Sequence, residues 1–349
     1  MQSHQAMPTF IESLNQALHS ALEKDKRVIV LGEDILDPYG GAFKVTRGLS
    51  SKFKEQVFTS PVSESGILGV ATGLALRGFR PIIEIMFGDF LTLTADQVIN
   101  HATKFRYMYN DQVHVPLLIR TPMGGRRGYG PTHSQTLEKM FLGTPGLMIF
   151  APNIFTDPGG LLQYCIFSVD DPVLFIENKI QYTQNLIAGS ELADFIVQDT
   201  AITSTQSNTA AESITYPVRL ILRDAPPPMV TITTYGFMAE LCRQAALRLA
   251  YEEEIITDIL VYSQLQPLDV SYVRTPLQTT KRLLVVEEGT LTAGWGAEFI
   301  TLCLEQFGDL RFQAQRVASL ETPIPASTIL EEKHLPNVED IILAVKKMV

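Results

Sequence analysis

The stretch SPVSESGILGVATGLALRG (residues 60–78) places a single carboxylate, Glu64, ahead of a run of small and apolar residues, with no basic residue until Arg77. An acid in such a setting can hold or hand over a proton, and burial would raise its pKa and favour a shared proton. A second candidate, His133, lies in the Gly-rich segment RTPMGGRRGYGPTHSQ (residues 120–135). Histidine titrates near neutrality, and the glycines let a partner approach closely. A third is Phe90, which closes EIMFGDF (residues 84–90) and offers a ring that could stack on a ligand. Each has a plainer alternative. Glu64 could serve only the dipole of its helix, Phe90 only a core, and His133 only a solvated loop.

These residues need elements to hold them. VIVLGED, PIIEIMF, VPLLIR, LMIFAPN and PVLFIEN are short, nearly continuous apolar runs, as strands covered on both faces require. Helical patterns fall between them at about residues 7–24, 65–77, 94–109 and 157–167. This alternation predicts a parallel sheet with crossover helices. Pro61 should end a strand or start a turn, and Ser63 and Ser65 are suited to capping the next helix. Gly66, Gly69 and Gly73 form a stripe without side chains, which suggests that another backbone or a cofactor comes close. Glu64 would then stand beyond a strand's carboxyl end and beside a helix N-terminus, where open α/β sheets bind ligands.

The 349 residues favour two domains, and 46% hydrophobic against 19% charged residues supplies material for sizeable cores. The texture changes after Tyr182. TSTQSNTAAES (residues 203–213) is polar and of low complexity, and APPPM cannot sit in a central strand. We therefore expect an N-terminal domain at 1–185, a linker at 186–217 and a smaller C-terminal α/β domain at 218–349. A net charge of −10 argues against non-specific nucleic-acid binding. Cys165, Cys242 and Cys303 have neither metal-type nor disulfide-type spacing, so a reducing, cytoplasmic setting is expected. The first residues carry no secretory pattern, and no uncharged stretch is long enough to span a bilayer, so no membrane association is expected.

LGEDILDPYGGAFKVTRGL, PVSESG, EIMFGDF, ADQVINHATKFRY, the HSQ loop, TPGLMIFAPN, LVVEEG and LPNVEDII occur in one collinear order. Together they resemble the beta subunit of thiamine-diphosphate-dependent 2-oxo acid dehydrogenases, the decarboxylating component of the pyruvate and branched-chain complexes. The resemblance covers almost the whole chain. It implies a two-domain, transketolase-like α/β fold, with a doubly wound, mostly parallel pyrimidine-binding domain first. It also implies that Glu64 bonds a ring nitrogen of the cofactor's aminopyrimidine, that Phe90 packs on that ring, and that His133 transfers a proton or places the acyl acceptor, a lipoyl group. Some members bind potassium through backbone carbonyls, which would fall here at Leu117, Cys165, Ile166 and Asp170. YCIFSVDDP is one residue longer than the pattern usual there.

The chain lacks the Gly-Asp-Gly stretch and later Asn that hold the diphosphate and its divalent metal, Mg, in this superfamily. The resemblance therefore implies an alpha-type partner subunit holding the metal, an α2β2 assembly, a lipoyl acyltransferase as a further partner, and an active site shared between chains. Arg126 and Arg127 stand where many relatives have small residues, and they could face an acidic partner, a substrate carboxylate or solvent. Three alternatives remain open: ketol transfer as in transketolase, a non-catalytic assembly subunit, and a nucleotide-binding oxidoreductase. The last is disfavoured because GRRGYG has the wrong order of glycines.

Overall fold

The computed structural model describes residues 7–187, 192–199 and 217–349. They form two compact units. One is the chain up to Met123 together with Met140–Leu186, and the other is Gly124–Lys139 together with Ile187–Val349.

In the first unit, α1 (Phe10–Lys24) opens with a reciprocal cap, in which Thr9 and Glu12 each accept the other's backbone N–H. Then come β1 (Val28–Gly32), α2 (Leu49–Lys52), β2 (Val57–Thr59), α3 (Glu64–Leu76) and β3 (Arg80–Glu84). α4 (Phe105–Met108), β4 (Leu118–Met123), β5 (Met148–Phe150), α5 (Pro158–Phe167) and β6 (Val173–Asn178) complete the series. Within the unit the strands lie in the order β5-β6-β4-β3-β1-β2, and every pairing among them is parallel. β1 and β4 are buried along their whole length, as their apolar runs require. β1 lies between β2 and β3, so the winding reverses there. The crevice of such a sheet opens beyond the carboxyl ends of β1 and β3.

The helix expected over 94–109 is broken. A 3-10 turn covers Gly88–Thr94, a π-turn covers Gln97–Ala102, and only α4 is α-helical. Threonine hydroxyls compete for the backbone here. Thr94 Oγ1 donates to Leu91 O, and Thr103 Oγ1 donates to Val98 O and Ile99 O.

The second unit contains β7 (Phe195–Asp199), β8 (Val218–Leu222), β9 (Val230–Tyr235), α6 (Met238–Glu253), β10 (Thr257–Tyr262) and β11 (Gln264–Gln266). α7 (Arg274–Thr280), β12 (Arg282–Thr290), α8 (Trp295–Gln306), β13 (Gln313–Ser319), α9 (Thr328–His334) and α10 (Val338–Met348) follow. Its sheet runs β13-β12-β9-β10-β8-β7. The first four strands are parallel, and β8 and β7 are antiparallel additions. Trp295 of α8 is fully buried and meets the rings of Tyr235 and Tyr262 edge-on at 5.2 and 5.7 Å.

The compact units depart from the sequence ranges in two places. β7 lies inside the expected 186–217 linker and pairs with β8, Phe195 opposite Leu222. The low-complexity run 203–213 lies outside the described residues. The segment Gly124–Lys139 follows β4 in sequence but belongs to the second unit. Among the described residues, no helix is long and apolar enough to cross a membrane.

Candidate active site

Glu64 is the first residue of α3 and is 7% exposed. Ser63 is the N-cap, but its hydroxyl makes no capping bond. Its N–H donates instead to Glu33 Oε1 at 3.1 Å. Glu33 directly follows β1 and is also buried. Burial raises the Glu33 carboxyl above its ordinary range, and the charge of Glu64 raises it further, against the Ser63 N–H. Among the described residues, no hydrogen bond or ion pair engages the Glu64 carboxylate. Two buried carboxylates thus stand together at the reversal point of the sheet, with the α3 N-terminus as the favourable field for a negative charge.

α3 buries Ile67, Leu68, Ala71, Thr72 and Ala75 against its own unit. Its glycines lie on the other side. A side chain at Gly73 would meet nothing within 4 Å, and one at Gly66 would meet only Ser63. Val70 on that face is 60% exposed, and Val62 just before the helix is 83% exposed. A side chain at Gly69 would lie 3.5 Å from Gln97 Oε1, an ordinary contact, so among the described residues no backbone makes the close approach expected along the glycine stripe.

Phe90 lies in the 3-10 turn that packs against α3. It belongs to a ring cluster, with Phe87 at 5.8 Å edge-on and Phe43 at 5.5 Å from Phe87. Gly88 lets the Met123 side chain pack closely on the turn, since a Cβ there would lie 2.3 Å from Met123 Cγ. Phe90 itself is only half-buried, which leaves part of its ring accessible.

Beside these residues lies a second set of buried acids. Glu84 at the end of β3, Arg120 of β4 and Glu177 of β6 sit on adjacent strands. Arg120 donates to Glu84 Oε2 at 2.7 Å and to Glu177 Oε2 at 2.6 Å, and Tyr182 OH donates to Glu177 Oε2 at 2.6 Å. Burial raises the Glu84 carboxyl, and Arg120 only partly offsets it. Burial would weaken Arg120's hold on its proton, but Glu177 and Glu84 outweigh that and raise it.

His133 lies on the second unit's loop and is half-buried, its Nδ1 3.0 Å from Thr132 Oγ1. Arg126 on the same loop is held structurally. Its Nη2 donates to Pro336 O at 2.5 Å, and its guanidinium lies 5.4 Å from the Phe237 ring centre. Arg127 is exposed.

Comparison with known proteins places both units. Residues 6–184 match the model of the transketolase pyrimidine-binding domain, and residues 221–341 match that of the transketolase C-terminal domain. The chain is 33% identical over 97% of its length to the pyruvate dehydrogenase E1 component subunit beta-1, mitochondrial, of Arabidopsis thaliana, covering 88% of that protein. It is 34% identical over 91% of its length to the 2-oxoisovalerate dehydrogenase subunit beta of Pseudomonas aeruginosa, covering 88% of it. It is 33% identical over 96% of its length to the acetoin:2,6-dichlorophenolindophenol oxidoreductase subunit beta of Cupriavidus necator, covering 95% of it. The chain belongs to the family of 2-oxo acid dehydrogenase E1 beta subunits. A solved split-gene transketolase, described as an inactive beta4 tetramer, shares the fold with a TM-score of 0.72 at 17% identity, over 97% of both chains.

For an E1 beta subunit, the structure gathers Glu64 and Phe90 in the pyrimidine-binding unit and puts His133 in the other. Two of the residues named for potassium, Ile166 and Asp170, meet Arg80. Arg80 Nη1 donates to Ile166 O at 2.7 Å and to Val169 O at 3.3 Å, while Nη2 donates to the Asp170 carboxylate at 2.9 Å. Leu117 O accepts the Val173 N–H at 2.8 Å, and Cys165 is buried in α5. Of the backbone oxygens named for potassium, Arg80 takes that of Ile166, and its other bonds go to Val169 O and the Asp170 side chain. Among the described residues, no group of three or more His, Cys, Asp or Glu could hold a metal. Sequence reasoning missed Glu33 as a neighbour of Glu64. The signal was available, since LGED puts an acid immediately beyond an apolar strand.

Proposed function

We propose that this chain is the beta subunit of a thiamine-diphosphate-dependent 2-oxo acid dehydrogenase. In this reading it acts with an alpha-type subunit in an α2β2 assembly on pyruvate or a branched-chain 2-oxo acid and passes the acyl group to the lipoyl group of an acyltransferase. The observation that carries the reading is Glu64, a buried carboxylate at the start of α3 that has no hydrogen-bonding partner among the described residues, beside a second glutamate with a raised pKa. A buried, unpartnered carboxyl is costly unless a ligand completes it. That is what the pyrimidine half of the cofactor site requires, so the residues present fit the group.

Thiamine diphosphate supplies the carbon nucleophile and electron sink that decarboxylation of a 2-oxo acid needs. Glu64 would share a proton with a ring nitrogen of the aminopyrimidine. Glu33, beside it, has a carboxyl that burial and the charge of Glu64 hold above its ordinary range. Phe90 would lie against the pyrimidine ring. His133 would transfer a proton at the reacting end or hold the lipoyl acceptor. The divalent metal is assigned to the partner. The exposed glycine face of α3 suits close approach by a second chain. The three cysteines are buried and unpaired, which suits the reducing cytoplasm in which we place the protein.

The test is reconstitution with the alpha-type partner. Glu64→Gln should lower 2-oxo acid turnover by on the order of a hundredfold or more while the complex still elutes intact. Full activity in that variant, or high turnover by this chain alone, would refute the reading. Turnover of sugar phosphates instead of 2-oxo acids would reassign the chain to ketol transfer.

A further inference from the structure

The loop that carries His133 is held to the second unit by a carboxylate that no step above uses. Glu331, on α9, is buried to 1% exposure. Its Oε1 accepts the N–H of Arg126 at 2.8 Å, and its Oε2 accepts the N–H of Gly128 at 2.9 Å. Arg126 and Gly128 both have positive φ, 70° and 67°. Such left-handed positions turn alternate backbone N–H groups to one side and make a small anion-binding concavity. Here the anion is the protein's own. One residue earlier, the Gly125 N–H donates to Glu288 Oε1 at 2.8 Å.

The fit is tight at both glycines of this stretch. A Cβ on Gly125 would lie 2.5 Å from Leu335 Cδ1 and 3.0 Å from Glu331 Oε1, and one on Gly128 would lie 3.2 Å from Ala326 O. The segment from Ala326 to Leu335 therefore grips three successive points of the loop, five to eight residues before His133. The arginine at 126 is no obstacle, because its side chain leaves the concavity towards Pro336 and Phe237.

We infer that Glu331 is a positioning residue: its carboxylate, clasped between the N–H groups of Arg126 and Gly128, fixes the loop that presents His133. The functional consequence rests on the reading of His133 given above, whereas the clasp does not. A carboxylate accepting two N–H bonds is stronger than a neutral acceptor, and no other side chain can replace it without loss. Glutamine has one acceptor and one donor end, so one of the two N–H groups would face another N–H.

The loop reports its own release, since Arg126–Arg127 is a tryptic site. In the full chain, Glu331→Gln should raise the rate of tryptic cleavage there about tenfold or more, the scale expected for losing one charge-assisted bond. Cleavage elsewhere in the chain should stay unchanged. Gly128→Ala, which pushes the loop off Ala326 with the carboxylate intact, should expose the same site. Glu331→Asp keeps both acceptor oxygens and should restore part of the protection. In the reconstituted complex, Glu331→Gln should lower kcat for acyl transfer while KM for the 2-oxo acid holds. Wild-type cleavage rates at Arg126–Arg127 in both Glu331→Gln and Gly128→Ala would overturn the clasp. If Glu331→Gln does not fold, the Gly128→Ala result decides alone. Selective cleavage with unaltered kcat would leave the clasp standing and remove its catalytic consequence. Full activity in His133→Ala would instead sink the reading of His133.

Discussion

The pyrimidine-binding unit holds two sets of buried carboxylates at the carboxyl ends of neighbouring strands, and they are built in opposite ways. Glu84 and Glu177 share the guanidinium of Arg120, with Tyr182 donating to one of them. Glu33 and Glu64 have each other, the Ser63 N–H and a helix N-terminus, and among the described residues no cation pairs with them. The first set is tied to a cation, although Arg120 Nε and Glu177 Oε1 are buried without a hydrogen-bonding partner among the described residues. The second is open, because the fold buries the acids and leaves Glu64 to be completed. Similar side chains at the carboxyl ends of one sheet's strands are thus held by a cation in one case and left without one in the other, among the described residues. A protein cation nearby makes the difference.

Removing that cation should have the largest effect on stability. Arg120→Met would leave two buried carboxylates without their partner, and urea unfolding should show a loss of about 3–5 kcal/mol. A change within experimental error would mean that the set tied to a cation is no more structural than the open one. The second unit supplies an intermediate case. Glu287 is fully buried, its Oε1 accepting from Gly296 N–H at 3.2 Å, with Arg316 only at 4.0 Å. Burial, and then the charge of Glu138, push its pKa up to about 8. The folded state therefore binds this proton more tightly than the unfolded state. The group's contribution to stability is complete below its ordinary value of 4.5 and is lost as pH rises towards 8. Glu287→Gln carries no charge to bury, so its Tm should fall less than the wild type's between pH 5 and 8. Parallel Tm profiles would contradict this.

Smaller effects mark where the comparison ends. Gly73→Ala adds a methyl into open space on α3 and should stabilise the isolated chain by up to about 1 kcal/mol, read as a rise in Tm. Destabilisation would show that the glycine is needed within this chain. Arg248 pairs with Glu252 and Glu339 on the surface, and Arg248→Ala should leave Tm unchanged at moderate salt.

Much of this was legible before any coordinates. The apolar runs became strands, and Glu64 opens α3 as its place before the helix implied. The misreadings are of one kind. The pattern over 94–109 shows apolar spacing but not that threonine hydroxyls would take backbone carbonyls. The sequence marks Arg126 as a cation in a loop but not that Pro336 and Phe237 occupy it. Arg80 and the carbonyls near Asp170 are 86 residues or more apart, and nothing local announces their pairing.

The order of residues by itself determined the alternating α/β architecture, the acid at the head of α3 and the family motifs, because helix periods, strand periods and caps act over a few residues. Only the tertiary structure decided which acids have a cation, which oxygens Arg80 takes, and that the His133 loop is clasped by Glu331. Those outcomes depend on groups far apart in the chain arriving at hydrogen-bonding distance in a buried place. A carboxylate's role there is set by its surroundings, not by its type.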